Sequence, residues 1–339
     1  MIAGVQDCDS FCARITDGFE VTAQQGVRRM YAGQRVAVVV PAYREERHVG
    51  DVIKSTPELV DHIIVVDDAS PDGTSEAALA VGDPRCEVIR HERNTGVGGA
   101  IITGHRRAIE LGADIDVVMA GDHQMDPQYL PALLDPIVKD GYGFTKANRF
   151  YSTTSFQGMP RHRIMGNILL TFLTKVASGY WDLVDPQNGY TAVRCSVLER
   201  LPLHRIAQRY DFENDLLIWL NIFSVRALDV PVPAVYKDEV SSIRLRTVAF
   251  RLIRILFTGF WRRIWLKYVL WSFSPIALLL FTGSLMVGFG VLVGFWVLAE
   301  TIGPTAASAG TVLLAVTPFL VGVQMLIQAL VLDIQATPK

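Results

Sequence analysis

Between Arg35 and Arg149 the chain alternates short apolar runs with segments of helical periodicity. Residues 36–40, 62–66, 87–90 and 117–119 are dominated by Val and Ile and stop abruptly at polar or turn-forming residues. That is the pattern of strands buried on both faces. Residues 143–147 read as a fifth strand. Residues 46–55, 74–81 and 100–111 read as the helices between them. Strands alternating with helices predict an α/β, mostly parallel sheet whose ligands bind past the carboxyl ends of the strands.

Past Phe150 the alternation fades. Residues 161–177 read as a helix led by Arg161, His162 and Arg163. Asp185-Pro186-Gln187-Asn188-Gly189 reads as a turn that enters another short strand. Tyr210-Asp211-Phe212-Glu213 opens a helix with acids in its first turn, where the helix dipole favours them. Residues 230–233, Val-Pro-Val-Pro, make a broken, edge-like strand. Residues 1–34 are aperiodic and read as an N-terminal extension, which leaves 35–241 as the main domain.

The pattern changes again after Ser242. On a helical wheel Arg251, Arg254, Thr258 and Arg262 share one stripe, while Leu252, Ile253, Ile255, Leu256, Phe260 and Trp261 cover the rest. Helices of this kind lie in the headgroup layer of a bilayer, with arginines drawn to anionic lipid and Trp265, Tyr268 and Trp271 as an interfacial belt. Residues 242–272 are therefore expected to be juxtamembrane. Residues 273–299 and 302–332 follow, each longer than the roughly 20 residues needed to span a bilayer. From Tyr268 to Leu332 the one charged residue is Glu300. This predicts a two-helix transmembrane hairpin over 273–333. Basic residues crowd its leading flank and are missing from its turn, so the positive-inside rule puts the large domain and both termini in the cytoplasm, at the plasma or inner membrane. Gly290 and Gly294 would allow close helix approach and a potential homo-oligomer contact.

Composition adds little except exclusions. The chain has 339 residues, half of them hydrophobic, with a net charge of −2, so nothing global points to nucleic acid. Four cysteines lack the pairing of a zinc site and read as reduced thiols.

The candidate chemistry lies at the strand ends. Val117-Val118-Met119 runs into Ala120-Gly121-Asp122-His123-Gln124-Met125-Asp126-Pro127, a polar loop where Asp122 and Gln124 can hold a hard cation and the phosphates it neutralises. Oxygen donors of this kind suit Mg²⁺ or Mn²⁺. Pro41-Ala42-Tyr43-Arg44-Glu45 and Asp67-Asp68 project to the same edge. There a ring can pack on Tyr43, with carboxylates on a base or ribose. Gly96-Val97-Gly98-Gly99 invites a dinucleotide reading. That reading fails because Ile101 stands at the third glycine position and the segment follows the third strand instead of the first.

Together these motifs carry a family resemblance. Pro41-x-Tyr43-x-Glu45, Val66-Asp67-Asp68-x-Ser70-x-Asp72-Gly73-Thr74, Asn94-x-Gly96-x-Gly98-x-Ala100, Gly121-Asp122-x-Gln124-x-Asp126-Pro127, Asn148-Arg149 and Asp185-x-Gln187-x-Gly189 make residues 36–240 resemble a family 2 glycosyltransferase of the GT-A fold. The nearest group is the dolichyl- and polyprenyl-phosphate sugar synthases. The resemblance implies a membrane-anchored, inverting hexosyltransferase. Its donor would be a nucleotide-diphosphate sugar of the UDP-glucose or GDP-mannose type, and its acceptor polyprenyl or dolichyl phosphate. It implies Pro41, Tyr43, Glu45, Val66, Asp68 and Asp122 as nucleotide-binding positions and Asp122 and Gln124 as metal and diphosphate positions. Arg149 and Arg163 match arginines that hold the lipid phosphate, and Asp185 completes the catalytic set. Two departures stand out. The family's Asp-x-Asp begins with Ala120 here, and Glu213 stands where the family often has a basic residue.

A lipid phosphate is already ionised near neutral pH, so proton removal is no obstacle to its attack on the sugar. Asp185 is then expected to orient an arginine or a ring hydroxyl instead of acting as a base. Two rival readings fit the sequence less well. A processive polysaccharide synthase would carry a Gln-x-x-Arg-Trp motif, which the chain lacks. A catalytically inactive scaffold would not need Asp122, Gln124, Arg149 and Arg163 together.

Overall fold

The computed structural model describes residues 30–151, 161–233, 245–302 and 307–338. The expectations for residues 1–29 and for the hairpin turn at 303–306 lie outside the described residues, and so does the side chain of Arg163.

Seven strands form one mixed sheet: β1 (Val36–Ala42), β2 (His62–Asp67), β3 (Cys86–Arg90), β4 (Ile115–Val118), β5 (Phe144–Asn148), β6 (Thr191–Arg194) and β7 (Ala227–Pro231). Their spatial order is β3-β2-β1-β4-β6-β5-β7. β1 lies at the centre of the parallel part, with Val40 opposite Val65 of β2 and Val39 opposite Val118 of β4. All seven of its residues are buried, as an apolar run covered on both faces should be. β6 runs antiparallel to both β4 and β5, so the sheet is parallel on one side and mixed on the other. β7 closes the edge beside β5 and is set three residues earlier than the sequence pattern predicts. Pro231 ends it, the place where a missing N–H costs no ladder bond.

Helices cover both faces: α1 (Val49–Ser55), α2 (Thr74–Ala80), α3 (Val97–Glu110), α4 (Leu130–Asp140), α5 (Arg161–Ser178), the single turn α6 (Cys195–Leu198) and α7 (Phe212–Ile222). One cluster packs α1 and α4 on the sheet, through Val52, Ile53, Leu133 and Ile137. On the opposite face Ile101 and Ile102 of α3 meet Leu216, Leu217 and Leu220 of α7.

The structure departs from the sequence reading in the glycine-rich segment. Helix α3 begins at Val97, inside that segment, not after Ala100. Gly96 sits at φ +96°, and a Cβ there would lie 2.6 Å from the Gln208 carbonyl oxygen. A Cβ on Gly98 would reach Phe212 at 2.7 Å and the Ala207 carbonyl at 2.8 Å. The glycines let the chain at 207–212 press against the start of α3, and Gly99 N donates to Gln208 O at 2.9 Å.

Beyond the sheet lie α8 (Leu245–Arg263), a π-helical stretch at Ile264–Trp271, and two antiparallel helices, α9 (Pro275–Thr301) and α10 (Ala309–Gln335). Each of the last two has 27 residues and is long and apolar enough to cross a bilayer. Ser274 and Ser308 cap their N-termini through side-chain oxygens. The predicted arginine stripe on α8 is split. Arg251, Arg254 and Thr258 are exposed beside Ile253 and Phe257, whereas Arg262 turns inward to Asp215 and over the Trp219 ring, 4.5 Å from its centroid. An inner carboxylate captured that arginine, which corrects its assignment to the lipid-facing stripe. Gly290 packs inside the hairpin against Ala315 and Phe319, while Gly294 faces open space.

Candidate active site

The chain leaves β1, β2 and β4 at adjacent positions on one edge of the sheet, and each exit carries a non-glycine residue in the left-handed region. These are Arg44 at φ +64°, Ala69 at φ +58° and His123 at φ +57°. Such backbone costs roughly 1–2 kcal/mol per residue and collects where side chains must be aimed at a ligand. Between the first two exits lies a cleft of about 220 Å³ lined by Pro41, Ala42, Tyr43, Asp68, Asn94 and Gly96, with Arg209 and Tyr210 closing its far side. Tyr43 is exposed, and the Arg44 guanidinium lies 5.3 Å from its ring centroid.

Asp68 lines the cleft, yet most of its carboxylate capacity is spent inside the protein. Oδ1 accepts from Thr95 N at 2.8 Å and Thr95 Oγ1 at 2.9 Å and lies 2.8 Å from His91 Nδ1, and Oδ2 accepts from Gly96 N at 2.7 Å. Burial alone would raise its pKa, but these hydrogen bonds outweigh it and hold the carboxyl below its ordinary value. Asp68 therefore fixes the turn into α3, with at most one lone pair of Oδ2 left for a ligand. Val66 is fully buried in β2 and supports the cleft from within the sheet. Glu45 does not line the cleft. It sits beside the loop that follows β4, where a Cβ on Gly121 would lie 3.3 Å from Glu45 Cγ.

That loop continues along β1 after β4 has ended, with Met119 N donating to Val39 O at 2.9 Å and Gly121 N to Pro41 O at 3.2 Å. Asp122 is partly exposed at its tip and accepts from Gln124 N at 3.0 Å. Among the described residues no three His, Cys, Asp or Glu side chains converge on one point. A single carboxylate and a neighbouring amide oxygen fit a hard cation that takes its other ligands from water and phosphate, the usual habit of Mg²⁺.

A third group of residues lies where β5 ends. Arg149 Nε donates to Asp185 Oδ2 at 2.8 Å and Nη2 to Oδ1 at 3.1 Å, and the Arg149 main-chain N–H adds a third bond at 3.1 Å. Asp185 is 1 % exposed. Its burial would raise the pKa, but the Arg149 bonds and the nearby Lys146 charge bring it below the ordinary carboxylate value. Lys146 is itself buried, and among the described residues its Nζ has no hydrogen-bond partner. Burial pushes its ammonium down to about 8, against the pull of Asp185 and Asp229. Lys146, Gly189, Thr191 and Glu213 border a small cavity of about 10 Å³, room for a single water. Burial lifts the Glu213 carboxyl to about 7. Its Oε1 would lie 3.9 Å from a Cβ on Gly189, and Met125 Cε 3.4 Å from the same point. Glu213 and Met125 of the Asp122 loop thus both approach Gly189 of the Asp185 turn.

The sequence model of glycosyl transferase family 2 matches residues 37–202. A UDP-N-acetylglucosamine–dolichyl-phosphate N-acetylglucosaminyltransferase of Methanococcus voltae is 31 % identical over 222 residues, 61 % of this chain and 88 % of the relative. The chain belongs to glycosyl transferase family 2. A polyprenol monophosphomannose synthase of Mycolicibacterium smegmatis is 30 % identical, over 65 % of this chain and 86 % of the relative. Glucosyl-3-phosphoglycerate synthase of Mycobacterium tuberculosis, solved with Mn²⁺, UDP and phosphoglyceric acid, superposes with a TM-score of 0.54 at 24 % identity, covering 68 % of this chain and 79 % of that one. That likeness concerns the fold, and it agrees with the mixed sheet described above.

Within this family 2 domain, sequence reasoning missed Arg209 and Tyr210, which reach the cleft from a segment more than a hundred residues away in the chain. The signal was present in the glycines at 96, 98 and 99, whose missing side chains admit that segment. Sequence reasoning also missed Lys146, which lies in β5, a strand buried over all five of its residues.

Proposed function

We propose that the protein is a membrane-anchored enzyme that transfers a hexose from a nucleotide-diphosphate sugar to polyprenyl or dolichyl phosphate, with inversion at the sugar carbon. The observation that carries this reading is the adjacency of three parts on one sheet edge. These are an aromatic cleft at Tyr43, the Asp122 loop, and an arginine held rigidly by Asp185, on a chain that ends in two bilayer-length helices. The relatives named for dolichyl-phosphate and polyprenol chemistry support it.

In this reading the base packs on Tyr43 beside Pro41, and Arg209 and Tyr210 close over it. Asp122 and Gln124 would hold Mg²⁺ or Mn²⁺ with the diphosphate, as the Mn²⁺ and UDP bound to the tuberculosis synthase support. When bound, the cation supplies Lewis-acid stabilisation of the departing diphosphate. Arg149, held in place by Asp185, and Arg163, at the start of α5, are the arginines that take the acceptor phosphate. The bond from the sugar carbon to the diphosphate oxygen breaks, and its electron pair leaves with the nucleotide. A bond to an acceptor phosphate oxygen forms on the opposite face. The acceptor arrives ionised, so no protein base takes a proton, and Asp185 serves to orient Arg149. In the cell the large domain and the C-terminus face the cytoplasm, α8 and the π-helical stretch lie at the headgroups, and α9 and α10 cross the bilayer.

The test is to offer the purified, detergent-solubilised protein a panel of nucleotide sugars with polyprenyl phosphate and Mn²⁺ and to look for a lipid-linked sugar. Asp122→Asn is expected to abolish transfer, as is chelation of the metal, with activity returning on adding Mn²⁺ or Mg²⁺. Full turnover by Asp122→Asn, or no product with any donor, would overturn the assignment.

A further inference from the structure

Helix α10 carries an acid, Asp333, in its last turn, where the negative end of the helix dipole disfavours it. An unpaired carboxylate at the end of an apolar helix is expensive as well. The structure compensates completely. Arg263 Nη1 donates to Asp333 Oδ1 at 2.6 Å and Nη2 to Oδ2 at 3.0 Å, Tyr268 OH donates to Oδ1 at 2.6 Å, and Trp181 Nε1 to Oδ2 at 3.3 Å. Arg263 is 0 % exposed, and its other donor positions are also used. Nε donates to Ala177 O and Nη2 to Val176 O, both at 3.0 Å, which satisfies carbonyls in the last turn of α5. Thr337 Oγ1 adds a bond to Gly179 O at 3.3 Å.

Gly179 ties this cluster to the local backbone. It ends α5 at φ +75°, and a Cβ there would lie 2.5 Å from Arg263 Nη1. Two demands, left-handed backbone and close approach of the guanidinium, meet at one glycine. The chain then runs through Trp181 to Asp185, four residues on. Along the way Val184 N donates to Asp229 Oδ2, and Asp185 grips Arg149. Trp181, bonded to the returning end of the hairpin, thus lies four residues along the main chain from the carboxylate that orients Arg149.

Buried ion pairs are poor devices for stability alone, because apolar replacements of similar volume often do as well or better. They are better explained by the geometry they enforce. We infer that Arg263 and Asp333 form a positioning latch that docks the end of α10 onto the α5–Asp185 segment and so sets the acceptor side of the transfer site against the membrane. Arg163 stands at the other end of α5, so the same latch anchors the helix that carries it. The latch rests on the proposed acceptor being lipid-borne, since only such a substrate needs the bilayer helices and Arg149 held in register.

The test uses the full chain in detergent, with three variants: Asp333→Ala, Trp181→Phe and Arg263→Lys. Trp181→Phe removes one donor and keeps a ring. Three readouts are taken: KM and kcat for polyprenyl phosphate, nucleoside diphosphate affinity with Mn²⁺ by calorimetry, and hydrogen exchange across residues 179–187. Asp333→Ala is expected to raise the acceptor KM at least about tenfold and to speed exchange across 179–187, with nucleotide affinity within about twofold of the parent. Trp181→Phe should shift the same two readouts by about threefold. Arg263→Lys cannot bond both α5 carbonyls and Asp333, so it should raise the acceptor KM and speed exchange across 179–187 in the same direction as Asp333→Ala. An unchanged acceptor KM in a folded variant would overturn the latch, as would a parallel loss of nucleotide affinity. Should the parent transfer no sugar at all, the functional reading falls, and unchanged exchange at 179–187 in Trp181→Phe would still sink the latch on its own.

Discussion

The guanidinium of Arg149 makes a two-point contact with the carboxylate of Asp185, at 2.8 and 3.1 Å, and the Arg149 main-chain N–H adds a third bond to the same group. This spends the acidity of Asp185 on orientation, because a carboxylate held below its ordinary pKa by a cation is a weak base. Asp185→Asn should therefore lower kcat/KM for the lipid acceptor by about 100-fold, since breaking one side of a buried pair costs roughly 3–5 kcal/mol and part of that falls on Arg149 placement. Nucleotide affinity should not change. The linkage has a definite sign. A depressed folded pKa contributes stability above the ordinary carboxylate value and loses it as pH falls through the depressed value. Thermal melting between about pH 5 and pH 3 should fall more steeply for the parent than for Asp185→Asn. A pH–rate profile controlled by an essential carboxylate base would contradict this role.

Asp68 gives a second prediction, because it holds the turn at Thr95 and Gly96 through three hydrogen bonds and contacts His91 with a fourth. Asn at this position places an NH₂ group against main-chain N–H donors, so Asp68→Asn should lose charge-assisted bonds worth roughly 1.5–3 kcal/mol each to a charged group. The start of α3 would loosen, and with it the contact between Gly99 N and Gln208 O that seats Arg209 and Tyr210 over the cleft. Calorimetry should show nucleoside diphosphate affinity down about tenfold or more, with a lower melting temperature. A variant with normal affinity would separate the turn from the cleft.

Much of the site was legible in the sequence because its parts are local. A buried Val/Ile run that stops at polar or turn-forming residues, such as Tyr43 to Glu45 after β1, Asp67 to Ser70 after β2 and Gly121 to Asp122 after β4, identifies each strand end without any knowledge of partners. What was hidden depends on distant contacts. Nothing near Arg209 says that it lines the same cleft as Tyr43; only the glycines at 96, 98 and 99 reveal the close approach, and they first invite a dinucleotide reading. Arg262 fits a lipid-facing stripe by periodicity until Asp215 is known to sit beneath it. In the sequence Asp333 simply follows the second apolar run, and only the fold supplies Arg263, Tyr268 and Trp181 around it.

The hairpin offers a paired test of the same distinction. A spacing of four residues makes Gly290 and Gly294 look equivalent. A Cβ on Gly290, however, would meet Ala315 O and Phe319 at 2.8 Å, and one on Gly294 would meet nothing within 4 Å. Gly290→Leu should destabilise the protein by about 1–3 kcal/mol through overpacking. Gly294→Leu should stay within about 0.5 kcal/mol, as surface changes do. Thermal melting in detergent checks both, and light scattering of Gly294→Leu shows whether that face meets a second copy: a fall in mass would identify such a contact.

Glu213 supplies a prediction that reads pH directly. Its carboxyl is raised to about 7 by burial, which the charge of Lys146 offsets only in part. An acid whose folded pKa is raised costs nothing at low pH, where it is protonated in both states. The penalty grows as pH climbs from the ordinary glutamate value towards about 7 and is constant above it. Glu213→Gln removes that penalty, so its melting temperature should match the parent near pH 4 and exceed it near pH 8, with the gap opening in between. Glu213 Oε1 and Met125 Cε both lie near Gly189 of the Asp185 turn, 3.9 and 3.4 Å from a Cβ placed there, beside the path proposed for the sugar. The same variant should therefore shift KM for the nucleotide sugar by about tenfold while leaving affinity for the bare nucleoside diphosphate nearly unchanged. Equal loss of both would place Glu213 on the nucleotide, and a melting gap that is constant from pH 4 to pH 8 would show that its carboxyl does not titrate in that range.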